Sequence, residues 1–172
     1  GTESKHKTQQ LIPEKYLPKT VFHTVDSDMN DTLKKVKKTI KSYPLIAKPD
    51  IGFRGLLVKK LHSEIELKKY LEKYPIDILI QEFLTEKYEC GIFFLRLPNE
   101  KKGRITSITL KEFLHVTGDG KQTLNDLIKN DDRAKNYYSL LKNNTSVPLN
   151  TVIEKGEKIK LSDIGNHSKG TK

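Results

Sequence analysis

The chain is short of cysteine, of acids relative to bases, and of long apolar runs, and each shortage excludes something. A lone Cys90 rules out an internal disulfide framework and suits a reducing compartment; in its strand-like run it is expected to be a small buried side chain. No apolar run is long enough to span a bilayer, and the first residues lack the charged-then-apolar layout of a secretory leader. A cytoplasmic location with no membrane partner is the resulting expectation. His23, His62 and His167 lie far apart and show no metal-ligand spacing, and no nucleophile–base pair points to covalent catalysis by a side chain. There is no internal repeat and no low-complexity linker.

What is abundant is positive charge. Thirty-two Lys and Arg against 22 Asp and Glu leave a net charge of +10, which invites an anionic partner such as a nucleotide, an acidic substrate or a nucleic acid. The densest cluster is Lys34, Lys35, Lys37, Lys38 and Lys41. It interleaves with Leu33, Val36 and Ile40 at helical spacing, so it reads as the solvated face of an amphipathic helix. No aromatic residue interrupts it to stack bases, which argues against single-stranded nucleic acid.

A chain of 172 residues holds one domain or two small lobes. Residues 1–16 form a polar lead-in, and the stretch to residue 19 is expected to carry little regular structure. Strands are predicted at Thr20–Val25, Leu45–Lys48 and Leu56–Lys59, the last two forming a hairpin with a long loop. A helix is predicted over about 30–42 and another after the capping box Ser63-x-x-Glu66, with Leu67, Tyr70, Leu71 and Tyr74 on one face. Ile76 to Leu84 is apolar almost throughout, as a central strand must be. Tyr88–Leu97 and Arg104–Leu110 flank a turn at Pro98–Gly103. Beyond them come a Gly118-Asp-Gly120 turn, a short helix from Thr123-x-x-Asp126, a second helix within 131–145, and short strands between Val147 and Leu161. His115 reads as a packing histidine and Asp119 as a turn former.

The segment from Tyr43 to Gly55 carries the most chemistry. An apolar run ends on Lys48-Pro, followed by a loop in which Gly52 and Gly55 flank Arg54. A compact cation at a strand end, beside backbone amides that approach closely, is suited to phosphate.

The succession strand, helix, Lys-Pro strand, glycine loop, strand, helix and buried strand resembles the ATP-grasp superfamily. The resemblance runs over about residues 17–170. It implies an α+β fold in which two lobes with mainly antiparallel sheets enclose a nucleotide cleft. A small lobe would occupy 17–84 and part of a large lobe 85–172. By that resemblance Lys48 holds phosphate, and Gly52, Arg54 and Gly55 belong to the phosphate loop. Gln81, Glu82, Phe83 and Leu84 are the hinge against adenine, with Gln81 where many members carry an acid, and Glu89 is the ribose carboxylate. A further phosphate lysine is expected ahead of the first strand, at Lys5 or Lys7.

The segment Val116-Thr-Gly-Asp-Gly-Lys-Gln-Thr-Leu-Asn-Asp-Leu-Ile128 is similar to one in cyanophycin-synthetase-type carboxylate–amine ligases; D-alanine–D-alanine ligases are more distant relatives. Asn166-His-Ser-Lys-Gly170 resembles the N-x-S-x-G element of the same proteins, which makes Asn166 and Ser168 substrate or phosphate contacts. Lys111 falls where a catalytic cation faces the γ-phosphate or acyl-phosphate. The resemblance implies ATP and Mg²⁺ as cofactors, a carboxylate and an amine as substrates, and an acyl-phosphate intermediate. The family's metal-binding acids follow the N-x-S-x-G element, so Mg²⁺ ligands are expected beyond Lys172. Alone, this chain is expected to bind nucleotide weakly, if at all, and to turn over nothing. The alternative reading is a non-catalytic basic domain that binds nucleic acid or a protein partner.

Overall fold

The computed structural model describes residues 3–52, 55–86, 88–143, 145–163, 165 and 170–171. The chain divides into two compact units, residues 1–85 and 86–172. The fold is α+β, and every strand pairing among the described residues is antiparallel.

In the first unit, α1 (Lys5–Gln9) precedes β1 (Thr20–His23), α2 (Met29–Thr39), β2 (Leu45–Pro49), β3 (Lys59–Leu61), α3 (Glu64–Lys73) and β4 (Ile78–Glu82). The sheet order is β1-β4-β2-β3, so the continuously apolar β4 lies between two partners, as its composition requires. Alternation along β2 turns Leu45 and Ala47 into a core with Val21, Ile78 and Ile80, against Leu33 and Val36 of α2 and Leu67 and Leu71 of α3. Both long helices start on a side-chain cap: Asp28 accepts from Asp31 N, and Ser63 from Glu66 N. The lysines of α2 lie outward, and Lys37 pairs with Glu64 at 2.7 Å.

Three expectations are corrected here. The lead-in is not irregular: α1 forms because Ser4 caps it, accepting from Lys7 N, and a 3-10 turn follows at Glu14–Tyr16. The hairpin partner of β2 begins at Lys59 rather than Leu56, because residues 55–57 turn, with Leu57 at φ 58°. The central strand starts at Ile78, since Asp77 is spent on loop contacts, accepting from Val25 N and Asp50 N.

The second unit opens with a two-stranded ribbon, β5 (Glu89–Leu95) and β6 (Arg104–Lys111). Then come β7 (His115–Thr117), α4 (Leu124–Asn130), α5 (Tyr138–Leu141) and β8 (Lys158–Lys160), with β7 paired to β8. Its core gathers Val116, Leu124, Ile128, Ile153 and Leu161. The helix expected within 131–145 is shorter, a 3-10 turn at Ala134–Tyr137 running into α5. Cys90 is exposed, not buried: among the described residues nothing packs over it.

The Gly118-Asp-Gly120 segment is a structural clamp. Asp119 Oδ1 accepts from the backbone N of Lys121 and of Gln122, each at 2.8 Å, and these bonds, those from Gln122 first, hold its carboxyl at about 2. Gly118 N donates to Glu157 O, and Gly120 N to Ile153 O. A Cβ on Gly118 would stand 2.1 Å from Glu154 O, so only glycine fits.

Candidate functional site

In an antiparallel sheet, residues in register share a face. Pairing sets Phe22 opposite Leu79 and Leu79 opposite Lys48, giving one row across β1, β4 and β2. The adjacent row is Thr20, Gln81, Ile46 and Lys60. Both rows lie on the face away from α2 and α3, whose side of the sheet is occupied by Leu45, Ala47, Ile78 and Ile80.

Helix α1 reaches this face from the lead-in. His6 stacks on Phe22 with ring centroids 4.0 Å apart and planes 7° from parallel. His6 N donates to Asp50 Oδ1 at 2.7 Å, and the buried Asp50 ties α1 to the loop after β2. Lys5 is carried along: its Nζ donates to Asp50 O at 2.9 Å and to Gly52 O at 3.1 Å. The lead-in thus brings Lys5 to the Lys48 loop. Burial, and then the charge of Lys5, hold the Lys48 ammonium below its ordinary value. Among the described residues no carboxylate pairs with Lys48. No buried side-chain nitrogen or oxygen among them lacks a partner, so the half-buried Lys48 ammonium opens to solvent. Two cations without a carboxylate between them can together hold an anion.

The loop is held from its far side. Tyr70 of α3 donates its hydroxyl to Leu57 O at 2.6 Å, and burial, then Tyr74, pushes that hydroxyl up to about 12. Gly55 sits at φ 68°, where glycine is favoured. Arg54 lies outside the described residues, as do Asn166 and Ser168.

At the end of β4 the side chains act within the protein. Gln81 is buried, and its Nε2 donates to Thr20 Oγ1 at 2.7 Å; Thr20 in turn donates to Pro18 O. Glu82 closes the β1 side: its Oε1 accepts from Lys19 N, and its N donates to Lys19 O. Phe83 lies under the Lys60 ammonium, 4.0 Å from the ring centroid, and Leu84 is exposed.

Glu89 and Lys111, which the resemblance assigns to ribose and to phosphate, stand opposite each other in the β5–β6 register and form an ion pair. Lys111 Nζ also donates to Gly165 O at 3.0 Å, and the Glu89 carboxylate packs over Gly165. His115 packs, with Nδ1 3.2 Å from Phe113 O.

Lys5 and Asp50 are the residues that motif spacing left unresolved or missed. Only the fold shows that Asp50 fastens α1 and brings Lys5 to the loop after β2. Among the described residues no three His, Cys, Asp or Glu side chains gather to hold a metal ion. No described helix is long and apolar enough to cross a membrane.

No family model and no curated protein matches the chain. Among solved structures it is similar to a D-alanine–D-alanine ligase from Bacillus anthracis, at 16% identity and a TM-score of 0.40, over 62% of this chain and 39% of that one. It is also similar to a bifunctional glutathione synthetase from Pasteurella multocida, at 15% identity and a TM-score of 0.34, over 99% of this chain and 26% of that one. The chain thus spans well under half the length of either.

Proposed function

We propose that the chain is the nucleotide-binding part of an ATP-grasp carboxylate–amine ligase. One observation carries this reading: Lys48 is half-buried, has no carboxylate partner among the described residues, and is joined by Lys5 beside the Gly52–Gly55 loop. The two ammonium groups and the loop amides take the phosphates. The backbone after β4, at Glu82–Leu84, takes the adenine edge, and Ile46 and Phe22 supply apolar surface on the same sheet face. In the second unit the resemblance assigns Glu89 to ribose and Lys111 to phosphate, and the two pair with each other.

In the whole ligase the substrate carboxylate oxygen attacks the γ-phosphorus and ADP leaves. The amine nitrogen then attacks the acyl carbon, loses its proton and expels inorganic phosphate. Lysines act by neutralising charge on the transferring phosphoryl group. Ligation belongs to the whole enzyme; this chain's own share is holding the nucleotide.

The reading is tested by following backbone amide resonances during titration with ADP. Shifts concentrated at Lys48, Gly52, Gly55 and Glu82–Leu84 are expected. Shifts confined to another surface, or none at saturating ADP, would overturn it.

A further inference from the structure

Lys48 lies near the end of β2, and its cross-strand neighbour on β4 is the apolar Leu79. The nearest acid along the chain, Asp50, turns Oδ1 to His6 N and its backbone carbonyl to Lys5. Elsewhere lysines meet carboxylates: Lys34, Lys37, Lys68, Lys111, Lys135 and Lys160 each pair with one. Lys48 pairs with none among the described residues, and its charged neighbour is the Lys5 ammonium.

Burial and a like charge both favour the neutral amine, and a neutral lysine amine is a nucleophile. An electrophile that leaves a negative adduct gains most in such a place, because it turns a pair of like charges into a pair of opposite ones. Carbon dioxide is such an electrophile. It is small and uncharged, so it needs no shaped pocket, and its adduct with an amine is an anionic carbamate. The amine lone pair attacks the carbon, an N–C bond forms as one C–O π pair moves onto oxygen, and the nitrogen releases one proton to water. Lys5, held by the carbonyls of Asp50 and Gly52, then supplies the cation that faces the carbamate.

We infer that Lys48 is a site of reversible carbamylation by dissolved carbon dioxide, with Lys5 as the cation that holds the product. The adduct stands where phosphate is proposed to bind, so carbon dioxide and nucleotide compete. That competition alone rests on the nucleotide reading.

Carbon NMR of the full chain in isotope-labelled bicarbonate tests it, beside Lys48→Met, Lys5→Met and the solvated-face control Lys35→Ala. The terminal amine supplies one carbamate resonance common to them all. A second resonance is expected from the parent and from Lys35→Ala. It should be lost in Lys48→Met and weakened about threefold or more in Lys5→Met. Should Lys48→Met misfold, alkylation of the carbamate in the parent, followed by peptide mass spectrometry, should place the adduct at Lys48. No second resonance, one that survives Lys48→Met, or adducts spread evenly over the exposed lysines would overturn the inference. Saturating ADP separates the two readings. Loss of the second resonance supports both, whereas its persistence counts against nucleotide at Lys48 and leaves the carbamate in place.

Discussion

A lysine that is half-buried beside another lysine opposes folding unless an anion returns the stabilisation, and Lys48 is in that position. Its depressed pKa means the unfolded chain binds this proton more tightly than the folded one does. Replacing it by an uncharged chain of similar length should therefore stabilise the empty protein. We predict that Lys48→Met melts at a higher temperature than the parent in the absence of nucleotide, measured by calorimetry. The same variant should bind ADP at least about tenfold more weakly, the loss expected for one charge-assisted contact. The strand end at Lys48 is legible in the sequence, because Lys-Pro closing an apolar run is a local signature. The mutual pairing of Glu89 and Lys111 was not legible, because it depends on which residues of β5 and β6 come into register across the intervening turn. Buriedness also misled at Cys90: a strand-like run says nothing of whether a second layer covers it.

At the scale of elements, the loop after β2 is fixed by two fastenings, Asp50 to α1 and Tyr70 to Leu57. Tyr70→Phe keeps the packing and removes one hydrogen bond to a carbonyl. It should cost roughly 1 kcal/mol in urea denaturation and weaken ADP binding with little change in secondary structure. Helix α2 carries a pH dependence. His23 on β1 is buried with Nδ1 2.8 Å from Thr32 Oγ1 of α2, and burial, opposed in part by Asp77, holds its pKa below the ordinary 6.5. As pH falls below about 6.5 the unfolded chain takes up a proton that folded His23 resists, so stability falls on the acid side and is regained above. Melting at about pH 7.5 and about pH 5.5 should show that loss, and His23→Gln should flatten this contribution. In the second unit, Gly118→Ala drives a methyl into Glu154 O and should destabilise by roughly 1–3 kcal/mol, read as a lower urea midpoint. Helix starts and the central strand were readable because caps and apolar continuity are local. Helix α1 was missed because its five residues, Lys5–Gln9, are all polar and show no apolar period, and its anchor at Asp50 lies far along the chain.

Over the whole molecule the net charge of +10 separates two kinds of anion binding. Lysines spread over α2 give a diffuse attraction that salt screens, whereas on the proposed reading Lys5 and Lys48 hold an anion at short range in a partly buried place. Binding of a single-stranded oligonucleotide should therefore weaken steeply between about 50 and about 200 mM salt and should not compete with ADP. The sequence carries the α+β class because hydrophobic period and turn chemistry are written locally, while the open ribbon emerges only when the strands are paired. The most direct test of the central claim is calorimetric titration of ADP and of ATP with Mg²⁺ into the chain, beside Lys48→Ala and the solvated-face control Lys35→Ala. The account predicts binding by the parent and by Lys35→Ala, and its loss in Lys48→Ala. Equal binding by all three, equal loss in both variants, or no heat from the parent at all would contradict it.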